Sequence, residues 1–280
     1  MIPSALASAL FGVASSLSWG GGDFIGGMAS RRIPARQMVA MVNVVGVIIA
    51  AILGLLSGQP IPPASDLMWG LAAGFCGALA LLSFYSALAS GQMGTLAPVA
   101  GVVGGIIPVV YAALTEGFPQ IHQIGGFGLA MVGVWFVSRT GGEFKIDRSL
   151  GLAMVAGIGF GLFFILIRQA QTDSLMWLIT SSKASSALTM IVPMLVSRTP
   201  WTIDKGSLGL SALSGALDLG GNVFFLLAAE TGRLDIAVVL SSLYPAITVV
   251  LASVILKEKV SRSQAGGIAA MLAALPLIVL

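Results

Sequence analysis

Charged residues are what this sequence lacks most. Its 280 residues include 14 Lys or Arg and 11 Asp or Glu, so that 9% are charged, whereas 57% are apolar. The mean hydropathy is +1.00. A soluble chain could not keep so much apolar surface from water, and the charges lie almost entirely between apolar segments. The sequence predicts an all-α integral membrane protein, in which the few polar residues inside the segments are the functional candidates.

Cysteine and histidine occur once each. Cys76 cannot form a disulfide within the chain, and His122 by itself supplies neither a histidine metal site nor a Ser-His-Asp triad. The motifs of zinc proteases, α/β-hydrolases and P-loop proteins are missing from the sequence. Ser181 and Ser182 precede Lys183, but sequence neighbours on a helix point apart and form no Ser–Lys dyad. We therefore predict no enzyme activity, no cofactor and no metal site.

Apolar stretches of about 20 residues, long enough to cross a bilayer as a helix, recur along the whole chain. They are continuous rather than alternating, which argues against a β-barrel. The first stretch has no basic leader, so we expect it to remain as a span. The sequence predicts ten transmembrane helices, near Ser4–Ala29, Pro34–Ser57, Asp66–Ser90, Gly94–Thr115, Gln120–Ser138, Ser149–Gln171, Ser174–Ser197, Gly206–Thr231, Arg233–Leu256 and Arg262–Leu280.

The basic residues are biased to one side of the predicted membrane. Side A, formed by the loops after the odd-numbered spans, holds 11 of the 14 Lys and Arg residues. Side B, which includes both termini, holds Arg168 and Arg233, and Lys183 lies within a span. The positive-inside rule places side A in the cytoplasm and both termini outside. We predict a multi-pass protein of the inner (plasma) membrane, and we attribute its net charge of +3 to this anchoring rather than to nucleic acid.

The polar connection Arg139–Ser149 divides the chain into two halves of five spans, residues 1–142 and 143–280. A shift of 141 residues lays span on span and pairs Trp19 with Phe160 and Phe84 with Phe225. A repeat with an odd number of spans must re-enter the membrane from the opposite side. The second five-helix repeat is therefore predicted to be inverted relative to the first, as in many secondary transporters.

Short motifs recur in the two halves. One motif is Trp19-Gly20 in the first span. A second pattern ends each half. In the second half it reads Leu243-Tyr244-Pro245, Leu256-Lys257-Glu258 and Gly266-Gly267, and in the first half it reads Gly104 to Pro108, Thr115-Glu116 and Gly125-Gly126. In these motifs the chain resembles the EamA-type ten-helix members of the drug/metabolite transporter superfamily. The resemblance covers the whole chain. It implies alternating access, export or exchange of small metabolites, amino acids or drugs, and a central cavity lined by spans 1, 3, 4, 6, 8 and 9.

Three charged residues fall inside predicted spans. Lys183 and Asp218 lie near the middle of spans 7 and 8, so adjacent antiparallel helices would let them pair, either to bind substrate or a coupling proton or simply to hold the spans together. Asn222 follows Asp218 by one turn on the same face. Asp23, among glycines of span 1, is a candidate contact for a cationic or amino group. Alternatively, it pairs with Arg31 or Arg36 at the interface.

Polar aromatic residues and prolines are the remaining candidates inside the spans. Trp19, Tyr85 and Tyr244 suit the wall of a cavity for amphipathic ligands, with simple packing as the alternative. Asn43 is expected to make an interhelical hydrogen bond. Four prolines are expected to interrupt helices, with the last as a hinge in span 9: Pro98, Pro108, Pro193 and Pro245.

The inverted halves predict a secondary-active transporter, and the resemblance implies that it exports small metabolites such as amino acids or amphipathic compounds. Its expected partners are a small-molecule substrate, the lipid bilayer and, as a candidate, a coupling proton, with no nucleic acid. The oligomeric state is left open between monomer and homodimer. The alternative function is a membrane channel or a structural membrane protein without active transport.

Overall fold

The structure, a computed structural model, describes residues 4–90, 93–138, 148–202, 205–255 and 261–279. Within these ranges the chain is helical and contains no strand. Breakers in the sequence set several boundaries; for example, α2 follows Pro34 and ends at Gly58, which has a φ of 65°. The helices are α1 (Ser4–Ala29), α2 (Ala35–Ser57), α3 (Ala64–Leu88), α4 (Met93–Thr115), α5 (Ile121–Ser138), α6 (Arg148–Ile167), α7 (Leu175–Val196), α8 (Lys205–Thr231), α9 (Leu234–Ser241), α10 (Tyr244–Ile255) and α11 (Arg262–Val279).

Each predicted span coincides with a helix to within a few residues, except the ninth. Among the described residues, seven stretches are long and apolar enough to cross a membrane, and one of these runs through α9 and α10 as Leu234–Ile255. Large apolar side chains lie exposed on the outside of the helices, for example Leu56 at 78% and Leu114 at 77%. Such a surface suits lipid rather than water, so this is a multi-pass membrane protein.

The ninth predicted span is not one helix, and this corrects the sequence-based assignment of Arg233–Leu256. It divides into α9 and α10 at Ser242 and Leu243. Pro245 has no N–H to continue the hydrogen-bond ladder, but it is well tolerated as the second residue of α10. Around the break, the Ser242 N–H donates to the Val238 carbonyl at 2.8 Å and the Ala246 N–H donates to the Leu243 carbonyl at 3.0 Å.

The other three prolines that we expected to interrupt helices do not break them. Pro98 and Pro108 lie inside a continuous α4, and Pro193 lies inside a continuous α7. Neighbouring helices and local adjustments can compensate for a missing N–H inside a bundle. Of the four candidate prolines, Pro245 is therefore the one that lies beside a helix break.

Small residues let the helices approach closely. A Cβ at Gly22 of α1 would lie 3.3 Å from the Ser214 carbonyl of α8, and a Cβ at Gly159 of α6 would lie 2.7 Å from the Ala80 Cβ of α3. The contacts of α1 with α8 and of α3 with α6 are among the most extensive in the bundle. Close approach of this kind provides the van der Waals contact that drives association of helices in lipid, where the hydrophobic effect is missing.

Serine hydroxyls reinforce the contact between α1 and α8. Ser8 Oγ donates to the Ala228 carbonyl at 2.8 Å, and Ser15 Oγ donates to the Gly221 carbonyl at 2.9 Å. From the other helix, Ser214 Oγ donates to the Gly22 carbonyl at 2.9 Å. These hydroxyls are satisfied without water, as burial inside a membrane bundle requires.

We predict that Gly74→Ala destabilises the fold. A Cβ at Gly74 of α3 would overlap the backbone carbonyl of Ser182 in α7, and a backbone atom cannot rotate away as a side chain does. Overpacking of this kind costs about 1–3 kcal/mol. The midpoint of thermal unfolding of the detergent-purified protein should fall.

Gly128→Ala is the matched control, because a Cβ at Gly128 of α5 meets nothing within 4 Å. Alanine also favours the helix over glycine, so its midpoint should stay the same or rise. Equal midpoints for the two variants would contradict the close crossing of α3 and α7.

Candidate functional site

A buried ion pair joins the middles of α7 and α8. Lys183 Nζ contacts Asp218 Oδ2, and the two side chains are 7% and 16% exposed. The Lys183 stem runs along α2, where its Cδ would lie 3.1 Å from a Cβ at Gly46. Glycine at this position therefore leaves room for the lysine. The pairing that the sequence suggested for these two residues is confirmed.

Two asparagines lie beside the ion pair, and both turn their amide groups onto their own helices. Asn222 Nδ2 donates to the Asp218 carbonyl at 2.6 Å, and Asn43 Nδ2 donates to the Val39 carbonyl at 2.8 Å. The interhelical hydrogen bond that we predicted for Asn43 is therefore wrong. A backbone carbonyl can accept a hydrogen bond only from the NH₂ group of a side-chain amide, so each bond also sets the orientation of that amide. The amide oxygen is then directed away from the helix carbonyl.

Asp23 of α1 has no ion-pair or hydrogen-bond partner within the described ranges. Its neighbour Gly22 lies against Asp218, since a Cβ at Gly22 would be 3.4 Å from the Asp218 backbone N. The Asp23 and Asp218 side chains also line the same cavity. Arg31 and Arg36, the alternative partners, are exposed at the end of α1 and the start of α2, so the interfacial pairing is not found.

A cavity lies where these polar residues meet. Its empty space is about 670 Å³, including the open mouth, which is within the range typical of small-molecule sites. Six residues predicted as site residues line it: Trp19, Asp23, Lys183, Asp218, Asn222 and Tyr244. The rest of the lining was not predicted as part of the site: Asn43, Gly77, Leu81, Ala100, Gly101, Gly104, Phe160, Phe163, Phe164, Ser182, Ser186 and Ser242.

Aromatic rings form two groups around the cavity. In the first, the ring centroids of Trp19 and Phe164 are 5.7 Å apart, and those of Phe164 and Phe225 are 4.7 Å apart. In the second, Phe84 lies 5.6 Å from Phe160 in an edge-to-face arrangement. Sequence reasoning missed the phenylalanines of α6, although the 141-residue shift that pairs Trp19 with Phe160 carried the signal.

Tyr244 lines the cavity and is 6% exposed, and its hydroxyl has no hydrogen-bond partner among the described residues. Tyr85 does not line it. Tyr85 is 1% exposed, and its hydroxyl lies 3.5 Å from Ser214 Oγ and against Gly26, where a Cβ would overlap the phenol ring. Tyr85 thus supports the wall from behind, which is not the substrate-facing position that we predicted.

Pro245, the predicted hinge, is buried next to the break between α9 and α10 and packs against α4. Its Cγ would lie 3.1 Å from a Cβ at Gly101. Within the described ranges, no three His, Cys, Asp or Glu side chains gather closely enough to hold a metal ion.

A second group of charges lies at the start of α9, away from the cavity. Arg233 pairs with Asp235, with Nη2 and Oδ2 2.8 Å apart, and Nη2 also donates to the Gly117 carbonyl at 2.8 Å. Glu116 Oε2 accepts the Leu234 N–H at 3.2 Å. Hydrogen bonds to Asp235 raise the pKa of the Arg233 guanidinium above its usual value. These contacts tie the α4–α5 loop to α9.

We predict that Lys183→Met destabilises the protein by about 3–5 kcal/mol, because it leaves the Asp218 carboxylate buried without its partner. Chemical unfolding in detergent would measure this. Adding Asp218→Asn to Lys183→Met removes the orphaned charge and should restore much of the loss. A double variant whose destabilisation equals the sum of the two single variants would contradict coupling through the ion pair.

The chain was compared with protein families, curated proteins and solved structures. The sequence profile described as the EamA-like transporter family matches the chain twice, over residues 6–139 and 148–280. No curated protein is similar enough in sequence to count as a relative. A solved crystal structure superposes with a TM-score of 0.73 and covers 96% of this chain and 95% of its own, at 17% identity, which shows a shared fold. Since the two profile matches span nearly all of the sequence, the chain belongs to the EamA-like transporter family and is a multi-pass membrane transporter of small molecules.

Proposed function

We propose that this protein is a secondary-active transporter that exports small metabolites, such as amino acids or amphipathic compounds, across the inner (plasma) membrane by alternating access. The proposed architecture is ten spans in two inverted five-helix repeats, residues 1–142 and 143–280, with α9 and α10 together forming the ninth span. The charge bias places both termini outside, and export is the direction that the resemblance to the superfamily implies.

The observation that carries this proposal is the symmetry of the cavity. The 141-residue shift relates lining residues of one half to lining residues of the other in five pairs: Trp19 and Phe160, Asp23 and Phe164, Gly77 and Asp218, Leu81 and Asn222, Gly101 and Ser242. Equivalent positions meet at one place when two repeats are related by an axis through that place. A substrate site between inverted repeats is the arrangement that secondary transporters use.

Helix packing and aromatic pairing support the same symmetry. Exchanging the halves turns the packing of α1 on α8 into that of α6 on α3, and both contacts are extensive. Trp19 and Phe225 have ring centroids 5.9 Å apart, and their equivalents Phe160 and Phe84 are 5.6 Å apart. The two related aromatic pairs are suited to act as gates of the cavity, which would open one after the other in the proposed transport cycle.

The break between α9 and α10 gives the proposed transport cycle a point of flexibility. Ser242 and Tyr244 lie at the break and line the cavity, and Pro245 follows directly. We propose that Pro245 acts as a hinge, since a helix without a continuous hydrogen-bond ladder can bend at low cost. Discontinuous helices are a recurring feature of transporter substrate sites.

A proton is the proposed coupling ion, and Asp218 is its proposed carrier. The charged and titratable groups that act on Asp218 are Lys183, Asp23 and Tyr85. A proton on Asp218 would remove the attraction that holds Lys183, and so would free α7 from α8. Protonation could in this way bias the conformational equilibrium between the two access states.

Reconstitution into liposomes tests the transport proposal. A panel of amino acids and small amines should include a compound that shows saturable uptake and counterflow, as expected of a carrier. Non-saturating flux without counterflow would instead indicate a channel, and no flux of any compound would contradict transport.

We predict that Asp218→Asn abolishes stimulation by a pH gradient and reduces uptake to the level of undriven exchange. Asp173→Asn is the matched control, because it makes the same chemical change at an exposed loop residue outside the cavity. Uptake should be compared with and without the pH gradient for both variants. Undiminished stimulation in Asp218→Asn would rule out a proton carried by this residue.

A further inference from the structure

The polar groups that the cavity leaves unengaged are mainly hydrogen-bond acceptors. Asp23 contributes a carboxylate without a partner in the part of the chain that the structure describes. Asn43 and Asn222 each donate one N–H of the NH₂ group to their own helix, which leaves an amide oxygen and one N–H on each side chain. The unpartnered hydroxyl of Tyr244 can accept as well as donate. An occupant that supplies several N–H donors would satisfy this set.

Among the residues that the structure describes, the one cation that lines the cavity already has a partner. The charged residues of the lining are Asp23, Lys183 and Asp218, and Lys183 pairs with Asp218 while lying 5% exposed with its stem along α2. A ligand carboxylate bound to Lys183 would share its ammonium with Asp218 or displace Asp218, and either arrangement leaves two buried carboxylates with one cation, which is costly. When Asp23 is ionised, the cavity therefore carries one unbalanced negative charge and, among the described lining residues, no free positive one.

The walls suit an ammonium group attached to an apolar body. Trp19, Phe160 and Phe164 present aromatic rings to the cavity. Aromatic faces attract cations and also bury apolar surface. An ammonium donates three hydrogen bonds and neutralises the Asp23 carboxylate, whose charge is costly to bury unpaired.

We propose that the substrate is a small organic monocation, an amine with an aromatic or aliphatic body whose ammonium group binds Asp23 and the amide oxygens of Asn43 and Asn222. This inference rests on the proposed transport function and narrows its substrate class. A zwitterionic amino acid brings a carboxylate for which the cavity holds no free cation. An organic anion meets an unbalanced negative charge and a set of acceptors.

A matched ligand series on the unmodified protein tests the charge preference. Phenethylamine, phenylalanine and 3-phenylpropionate share a phenyl ring and are a cation, a zwitterion and an anion at neutral pH. Calorimetric titration of the detergent-purified full chain and counterflow in liposomes should both favour phenethylamine. Binding should weaken by roughly tenfold or more for the other two, the scale of a lost charge-assisted hydrogen bond.

Asp23→Asn should weaken phenethylamine binding by roughly tenfold or more, because it removes the charge with little change in shape. Asp173→Asn, on an exposed loop residue, should leave the affinity unchanged. Thermal unfolding of both variants checks that each is folded. If Asp23→Asn fails to fold, the ligand series on the unmodified protein still decides the question.

The outcomes separate this inference from the transport function itself. No binding of phenethylamine, a preference for phenylalanine or 3-phenylpropionate, or an unchanged affinity in a folded Asp23→Asn variant would each overturn the monocation inference. Saturable counterflow of phenylalanine or 3-phenylpropionate would overturn it while leaving the protein a transporter. A lack of counterflow for every compound of the wider panel would count against transport.

Discussion

The pairing of Lys183 with Asp218 is the interaction on which the centre of the molecule depends. A single charge in the middle of a membrane bundle is costly, and two opposite charges are tolerated when each satisfies the other. The pair requires α7 and α8 to meet at the right height, and it requires room for the lysine stem, which Gly46 of α2 supplies. Once the pair forms, Asp23 is the remaining charged residue among the described lining of the cavity. The preference of the cavity for a ligand therefore depends on Asp23.

The cavity brings together equivalent positions of the two proposed repeats, but the chemistry of those positions differs. Where one half contributes Gly77 and Leu81, the positions related by the 141-residue shift in the other half are Asp218 and Asn222. In the proposed repeat, one wall of the cavity is therefore apolar and the opposite wall carries the charges. Two equivalent walls would offer a polar ligand two equal poses, whereas one charged wall favours a single orientation. In the proposed transport cycle, the inverted arrangement would supply the mechanical symmetry for alternating access, and divergence of the side chains would supply the specificity.

Prolines show how context decides the effect of a residue. Pro98 and Pro193 lie in helices that continue through them, whereas Pro245 follows a break that separates α9 from α10. The loss of one N–H is common to all three, so the proline alone does not account for the difference. At the break, Ser242 and Tyr244 turn to the cavity, and the buried hydroxyls of Ser241 and Tyr244 have no partner. Unsatisfied groups of this kind are expected where a ligand or a second conformation completes the bonding.

The positions of the helices and the small set of charged candidates followed from the sequence alone. The free energy of placing a segment in lipid depends on which residues it contains, and not on which helices pack against it. Which candidates meet was decided only by tertiary structure, because contact depends on the register and rotation of packed helices. Asn43 bonds to its own helix, Tyr85 lies behind Gly26, and Phe160 faces the cavity, all for this reason. The amino-acid sequence thus determined that few charges would enter the membrane. The packing of α1, α7 and α8 decided that two of them neutralise one another and that Asp23 has no partner within the described part of the chain.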